Sequence, residues 1–172
     1  RDLMRTYERL GMPVDVLPGQ PLLPDLVFAA NQALPIPPGL LSEGPAAIGS
    51  IMKSARRHAE VRIVVEALQA RGLHIETLDP YQVPRIEGTG DGIWHPGRAL
   101  LYGGVGVRTS LEAWRFVSAW TGVPVVALRL VDPRFYHLDT CLAPIDDRTA
   151  VCFPGAFDAA GRALLRRCFP RL

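Results

Sequence analysis

The sequence predicts an α/β fold, read as a single domain over residues 1–172, in which hairpins, helices and further strands recur. Three observations predict it. Apolar residues repeat at helical spacing in some segments and form β-branched clusters in others. Glycine and proline, 16 of each, punctuate the boundaries and imply many tight turns. A run of hairpin, helix and strand occupies roughly residues 91–131, and a similar run begins near residue 135. About three such units fit the length. Each buries one face of its sheet only against a neighbour, so an open array of three has unsatisfied ends.

The elements follow in order. Residues 1–24 read as a weak helix or strand and then a Pro-rich turn, VLPGQPLLP. PDLVFAANQAL reads as a strand entering a loop, and PIPPGLLSEGP as a breaker-rich loop. Ile48, Ile51, Met52, Ala55, Ala59, Ile63, Ala67 and Leu68 recur near helical spacing, which predicts a helix over about 45–71 that stops at Gly72. LHIETLD is a strand and YQVPRIEGTGDG a loop. IWH and ALLYGGV flank HPGR as a hairpin. Thr109 and Glu112 form a capping-box pattern before the helix LEAWRFVSAWT, which ends at Gly122. PVVALRLV is a strand. FYHLDTCLAPI and TAVCFPG pair around DDR, and Asp158 caps a last helix.

Composition narrows the function classes. The net charge of +2 comes from scattered arginines, so no basic nucleic-acid face is expected. No apolar run approaches the roughly 20 residues needed to span a bilayer. The first residues are charged and lack an apolar signal core, so no secretion signal is expected. Three cysteines without a CxxC pair argue against a disulfide framework and for a reducing cytoplasm.

Four places carry candidate chemistry, and each also has a plainer reading. Asp25, Asn31 and Gln32 lie in PDLVFAANQ, where they serve a ligand or only a strand end and turn. Glu87 and Asp91 lie in EGTGD; two carboxylates on a glycine loop hold a cation, or decorate a solvated hairpin approach. No Lys-Ser/Thr pair follows, so this is not a phosphate loop. His137 and Asp139 are two apart on an expected strand and leave one face together. A His beside a carboxylate keeps its proton more readily, which suits acid–base work; the alternative is a partly buried structural pair. Arg108 in GVRTS suits a substrate carboxylate, or stacks on Trp114 or another aromatic residue. HxDxC is not a familiar zinc set, so no metal site is expected. Cys141 reads as a small buried residue. His58, His74 and His95 read as a helix face, a strand start and a hairpin turn.

Taken in order, PDLVFAAN, EGTGD, GVRTS and FYHLDTCLAPID resemble the guanidino-group-modifying superfamily over about residues 20–155. That group includes arginine deiminase, dimethylarginine dimethylaminohydrolase, glycine amidinotransferase and bacterial arginine dihydrolase. The resemblance implies a pentein-type α/β propeller of five ββαβ units around a central site, with about three of the five present. It implies a hydrolase acting on a guanidino C–N bond of arginine or a methylated arginine, with amidino transfer to an amine as the enzyme alternative. No cofactor is implied.

The resemblance also implies roles. His137 is the general acid–base. Glu87 accepts a hydrogen bond from the guanidinium or from the His. Asp139 holds the guanidinium, and Arg108 grips the α-carboxylate. Asn31 stands where deiminases place an Asp, which weakens one salt bridge and bears on product choice. Asp25 and Asp91 assist from their loops. The family nucleophile is a cysteine in a Gly-rich segment well after the HLD motif, and Cys141, Cys152 and Cys168 do not fit it. The chain is therefore expected to be a fragment, a truncated gene product or a non-catalytic relative that binds a guanidinium or a partner chain. It is expected to pack against its missing half or a second copy.

Overall fold

A computed structural model describes residues 2–172. Helix α1 (Asp2–Arg9) opens the chain and buries none of its residues. Two 3-10 turns, Pro24–Val27 and Ala29–Asn31, lead into β1 (Ala33–Pro35). Strand β2 (Ala46–Gly49), helix α2 (His58–Gln69) and β3 (His74–Glu76) follow. β1 pairs antiparallel with β2, and β2 pairs parallel with β3 across α2. One helical turn, α3 (Gly88–Asp91), precedes β4 (Gly92–Trp94), β5 (Leu101–Val105), α4 (Leu111–Thr121) and β6 (Val125–Arg129). The pairing repeats: β4 with β5 antiparallel, β5 with β6 parallel across α4. β7 (Leu142–Pro144), β8 (Ala150–Cys152) and α5 (Ala159–Cys168) give a hairpin and helix with no third strand among the described residues. The mixed α/β fold thus consists of small sheets, each opened by a hairpin.

Successive strand residues alternate faces, and this couples each sheet to its neighbours. On β5, Leu101 joins a core with Leu34, Ile48, Ile86 and Trp114, while Tyr102 joins a second core with Leu128, Leu138, Phe157 and Phe169. The first core seals β1–β2 against α4, and the second seals β6 against α5. Buried side chains of this size contribute about 1.5–3 kcal/mol each. Apolar surface remains open at the start of the chain, where Leu3, Leu10, Val16 and Leu22 are exposed.

Several expected elements are corrected. The helix expected over 45–71 begins only at His58; Ala46–Gly49 is a fully buried strand. A short apolar run of this kind fits either element by periodicity alone. PDLVFAAN forms 3-10 turns instead of a strand, because Pro24 starts the first turn and backbone hydrogen bonds close both. EGTGD is not a plain loop, since it winds into α3. The capping box does not form: Ser110 is the N-cap of α4, and Thr109 turns its hydroxyl to Asp91. Gly122 does end α4 in the left-handed region at φ 70°.

Close packing of β5 on α4 makes a direct prediction. A Cβ on Gly103 would lie 2.6 Å from the Trp114 ring, whose indole N–H donates to the Gly104 carbonyl at 2.8 Å. Gly103→Ala is expected to lower unfolding stability by about 1–3 kcal/mol, read as a shift of the urea midpoint at constant slope. An unchanged midpoint would mean that this contact yields freely.

Candidate active site

The site grows from loops at the ends of the sheets. Glu87 precedes α3, Arg108 follows β5, and His137 caps the 3-10 turn Leu138–Thr140 before β7. Glu87 has no exposed surface. Its Oε1 accepts the Lys53 amide N–H at 2.9 Å. Its Oε2 accepts from Arg108 Nη1 at 3.1 Å and lies 2.7 Å from His137 Nε2. Burial alone would raise the Glu87 carboxyl. The His137 contact, the Lys53 amide and the positive charge of Arg108 outweigh it and hold the carboxyl below its ordinary value. Facing an ionised carboxylate, Nε2 is the protonated ring nitrogen. Nδ1 has no hydrogen-bond partner among the described residues and remains available.

A second carboxylate braces the first. The Glu87 amide donates to Thr109 Oγ1 at 3.1 Å, and that hydroxyl donates to Asp91 Oδ2 at 2.7 Å. Asp91 Oδ1 accepts the Leu138 amide at 3.0 Å. Burial pushes the Asp91 carboxyl up to about 6, against the hydrogen bonds from Thr109 and Leu138 and the nearby His137. The EGTGD glycines allow this crowding. A Cβ on Gly88, at φ 48°, would run into the carbonyls of Ala30 and Ala33; one on Gly90 would meet the Asn31 amide and the His137 ring.

An open cavity of about 890 Å³ lies beside this assembly. Its lining includes Asp25, Asn31, Arg57, Arg108, His137 and Asp139. Glu87 is not on that lining; it touches His137 and Arg108, which are. Asp91 is likewise behind the wall. The expected strand with His137 and Asp139 on one face is a turn instead, and both residues still reach the cavity. Burial raises the Asp139 carboxyl, with His137 opposing. Arg108 does not stack on Trp114; its guanidinium sits 5.0 Å over the Tyr136 ring while pairing with Glu87.

Sequence reasoning missed Arg57, which is largely buried on the cavity wall. Its Nε donates to Glu60 at 2.8 Å, its Nη1 to Asn31 Oδ1 at 3.0 Å, and its Nη2 to the carbonyls of Asp25 and Phe28. Gln32 also donates to Glu60. An Arg and a Glu three apart at a helix start look like a solvated pair, so no local signal marks this one as buried. Cys141 is a buried structural residue whose thiol is pushed up to about 12 by burial. None of the three cysteines lines the cavity. Among the described residues, no group of three or more His, Cys, Asp or Glu is arranged to hold a metal ion, and no helix is long and apolar enough to cross a membrane.

No protein-family model matches the chain. N(G),N(G)-dimethylarginine dimethylaminohydrolase of Mycobacterium tuberculosis is 36% identical over 168 residues, 98% of this chain and 51% of that protein. The bifunctional arginine dihydrolase/ornithine cyclodeaminase AgrE of Nostoc is 33% identical over 152 residues, 88% of this chain and 20% of its own length. Among solved structures, the N-terminal domain of the cyanobacterial arginine dihydrolase ArgZ, as a Cys-to-Ser variant bound to substrate, aligns with a TM-score of 0.86 at 27% identity. The alignment covers 98% of this chain and 59% of that one. Another form of the same domain is covalently bonded to a reaction intermediate. The chain thus spans about half of the first relative and a fifth of the second.

The raised Asp91 carboxyl sets a pH dependence. Its folded value lies above its unfolded one, so native protein holds a proton that the unfolded chain releases between about pH 4 and 6. The stability this group contributes is fully present at lower pH and is lost as pH rises through about 6. Urea unfolding across that range is expected to show the stability of the native chain falling relative to Asp91→Asn as pH increases. A pH-independent difference would contradict the assignment.

Proposed function

We propose, from the premise that this chain is a homologue of the N-terminal part of dimethylarginine dimethylaminohydrolase and the arginine dihydrolases, and so of the guanidino-group-modifying superfamily, that its site hydrolyses a guanidino C–N bond of arginine or a methylated arginine. The observation that carries the reading is the 2.7 Å contact of Glu87 with His137, whose ring lines a cavity shared with two further carboxylates, Asp25 and Asp139.

The chemistry follows from those groups. A guanidinium is a flat cation rich in N–H donors, and the carboxylates of Asp139 and Asp25 suit it. Arg108 uses Nη1 on Glu87 and keeps further N–H groups for the substrate's α-carboxylate. A cysteine thiolate, brought from outside the described residues, adds to the central carbon. The C–N bond then breaks with its electron pair on nitrogen, and the leaving amine takes a proton through His137. Water adds to the resulting thiouronium carbon and gives its proton back to His137. The C–S bond breaks with its electron pair on sulfur as the new hydroxyl loses its remaining proton to solvent, releasing the ureido product and the thiolate. The covalently bonded intermediate in the ArgZ domain supports a covalent route.

The two hairpin–helix–strand units and the hairpin and helix that follow are read as three of five propeller blades, with the exposed apolar residues near the start of the chain facing further polypeptide or a second copy. A cytoplasmic setting suits three unpaired thiols. Light scattering of the 172-residue chain is expected to report a dimer or larger species; a well-behaved monomer would count against this packing.

The deciding experiment uses the protein as its gene encodes it, with labelled L-arginine and with or without an added amine. Product that forms without the amine supports hydrolysis; product that requires it means amidino transfer. His137→Asn is expected to lower kcat/KM by about a hundredfold or more. A second reading rests on the absence of any cysteine from the cavity lining: a guanidinium-binding chain without turnover. Arginine turnover by the purified 172-residue chain, free of contaminating enzyme, would refute it.

A further inference from the structure

The two hairpin–helix–strand units treat one glycine position differently. Gly49 on β2 pairs with Ala33, and Gly103 on β5 pairs with Gly92, each within the hairpin of its unit. Both glycines face the helix of their own unit. Over Gly103 lies the Trp114 ring of α4, so close that a Cβ would sit 2.6 Å from it. Over Gly49 lie methyl groups of Val65 on α2 and Ile75 on β3, each 3.6 Å from the Cβ position, an ordinary contact distance. Trp114 also donates its indole N–H to the Gly104 carbonyl at 2.8 Å. By this register, Ser50 stands in the first unit where Gly104 stands in the second.

Where the second unit holds an indole, the first holds a cavity. Its volume is about 480 Å³, and Gly49, Val61, Val65 and Ile75 form its apolar walls. It opens at the carboxyl ends of the parallel strands β2 and β3, beside the first turns of α2. Crevices in that position are a general place for ligands, and this volume falls in the range of small-molecule pockets. Ser50 lines the cavity as well. Its hydroxyl is buried without a hydrogen-bond partner, and its carbonyl accepts no hydrogen bond among the described residues. His58, Arg62 and Thr77 stand exposed at the rim. The wall formed by Gly49 to Met52 runs on into Lys53, whose amide holds Glu87 at 2.9 Å, so this cavity and the central one share a stretch of chain.

We infer that the cavity between α2 and the ends of β2 and β3 is a second binding site, separate from the central cavity, for a small planar aromatic molecule of indole size that carries an N–H donor. The ring takes the place over Gly49 that the Trp114 ring takes over Gly103, and its N–H meets an oxygen of Ser50. Polar substituents leave through the rim at His58, Arg62 and Thr77. The inference does not depend on the guanidino-hydrolase reading.

The test uses indole and its isostere benzofuran, which has an oxygen in place of the N–H. Nuclear magnetic resonance titration of the 172-residue chain is expected to show indole binding with a Kd on the order of 0.1–1 mM. The amide shifts are expected to centre on Gly49, Ser50 and Thr77. Benzofuran is expected to bind about fivefold more weakly, one neutral hydrogen bond lost. Val61→Trp puts an indole on α2 at the cavity wall and is expected to abolish binding by filling the space from within. Should that variant fail to fold, Gly49→Val decides in its place, since the Cβ position there is free of close contacts. Its methyl groups are expected to weaken indole tenfold or more. No binding by the native chain, shifts centred elsewhere, benzofuran binding as tightly as indole, or a folded filling variant that binds like the native chain would each overturn the inference. Binding by the 172-residue chain that disappears in the protein as its gene encodes it would assign the space to further polypeptide and overturn it too.

Discussion

Glu87 has no exposed surface, yet it carries a full negative charge among donors from three other stretches of chain: the Lys53 amide, the Arg108 guanidinium and the His137 imidazole. A carboxylate stripped of water is tolerable only when its oxygens are filled this way; removing one partner of such a buried pair typically costs about 3–5 kcal/mol. The loop after β2, the entrance to α3, the start of α4 and the turn before β7 are therefore tied to one point. The Thr109 hydroxyl and Asp91 repeat the device one layer back, linking the same α3 and β7 segments. The Glu87–His137 contact is thus also a fastener of the sheets, and its geometry is held by the fold itself.

Crowding explains the glycines of EGTGD. Their neighbours leave no room for a Cβ: backbone carbonyls at Gly88, and an amide and an imidazole at Gly90. Gly104 on β5 is crowded likewise, with Asp91 Oδ1 at 2.6 Å from its Cβ position. Each missing side chain lets a polar group come close to another. The alternating faces of β5 do the corresponding work for the apolar interior, with Leu101 and Tyr102 serving different cores from adjacent positions.

Much of this was legible in the residues. The hairpin around HPGR, the helix ending at Gly122 and the strand PVVALRLV follow from turn chemistry and β-branched runs, and they stand where expected. Ala46–Gly49 was not legible, because four buried small and apolar residues satisfy a helix and a strand equally. Glu87, Arg108, His137 and Asp139 could be named from motif order, and the resemblance implied a role for each while leaving open whether Glu87 meets the guanidinium or the His. Nothing local says that Glu87 lies behind the wall while Asp139 lies on it. Thr109 fits a capping box until Asp91, 18 residues earlier, claims its hydroxyl. Arg57 was invisible because burial, and not its spacing to Glu60, gives it its importance.

The central claim is geometric: a flat cation rests in the cavity with the imidazole held against Glu87 at its edge. A crystal structure of the protein with L-arginine bound tests it most directly. The account predicts the guanidinium carbon in contact with the His137 ring, Asp139 on the guanidinium N–H groups and the Glu87–Nε2 hydrogen bond intact. Arginine bound elsewhere, or His137 swung away from Glu87 with the ligand in place, would contradict it.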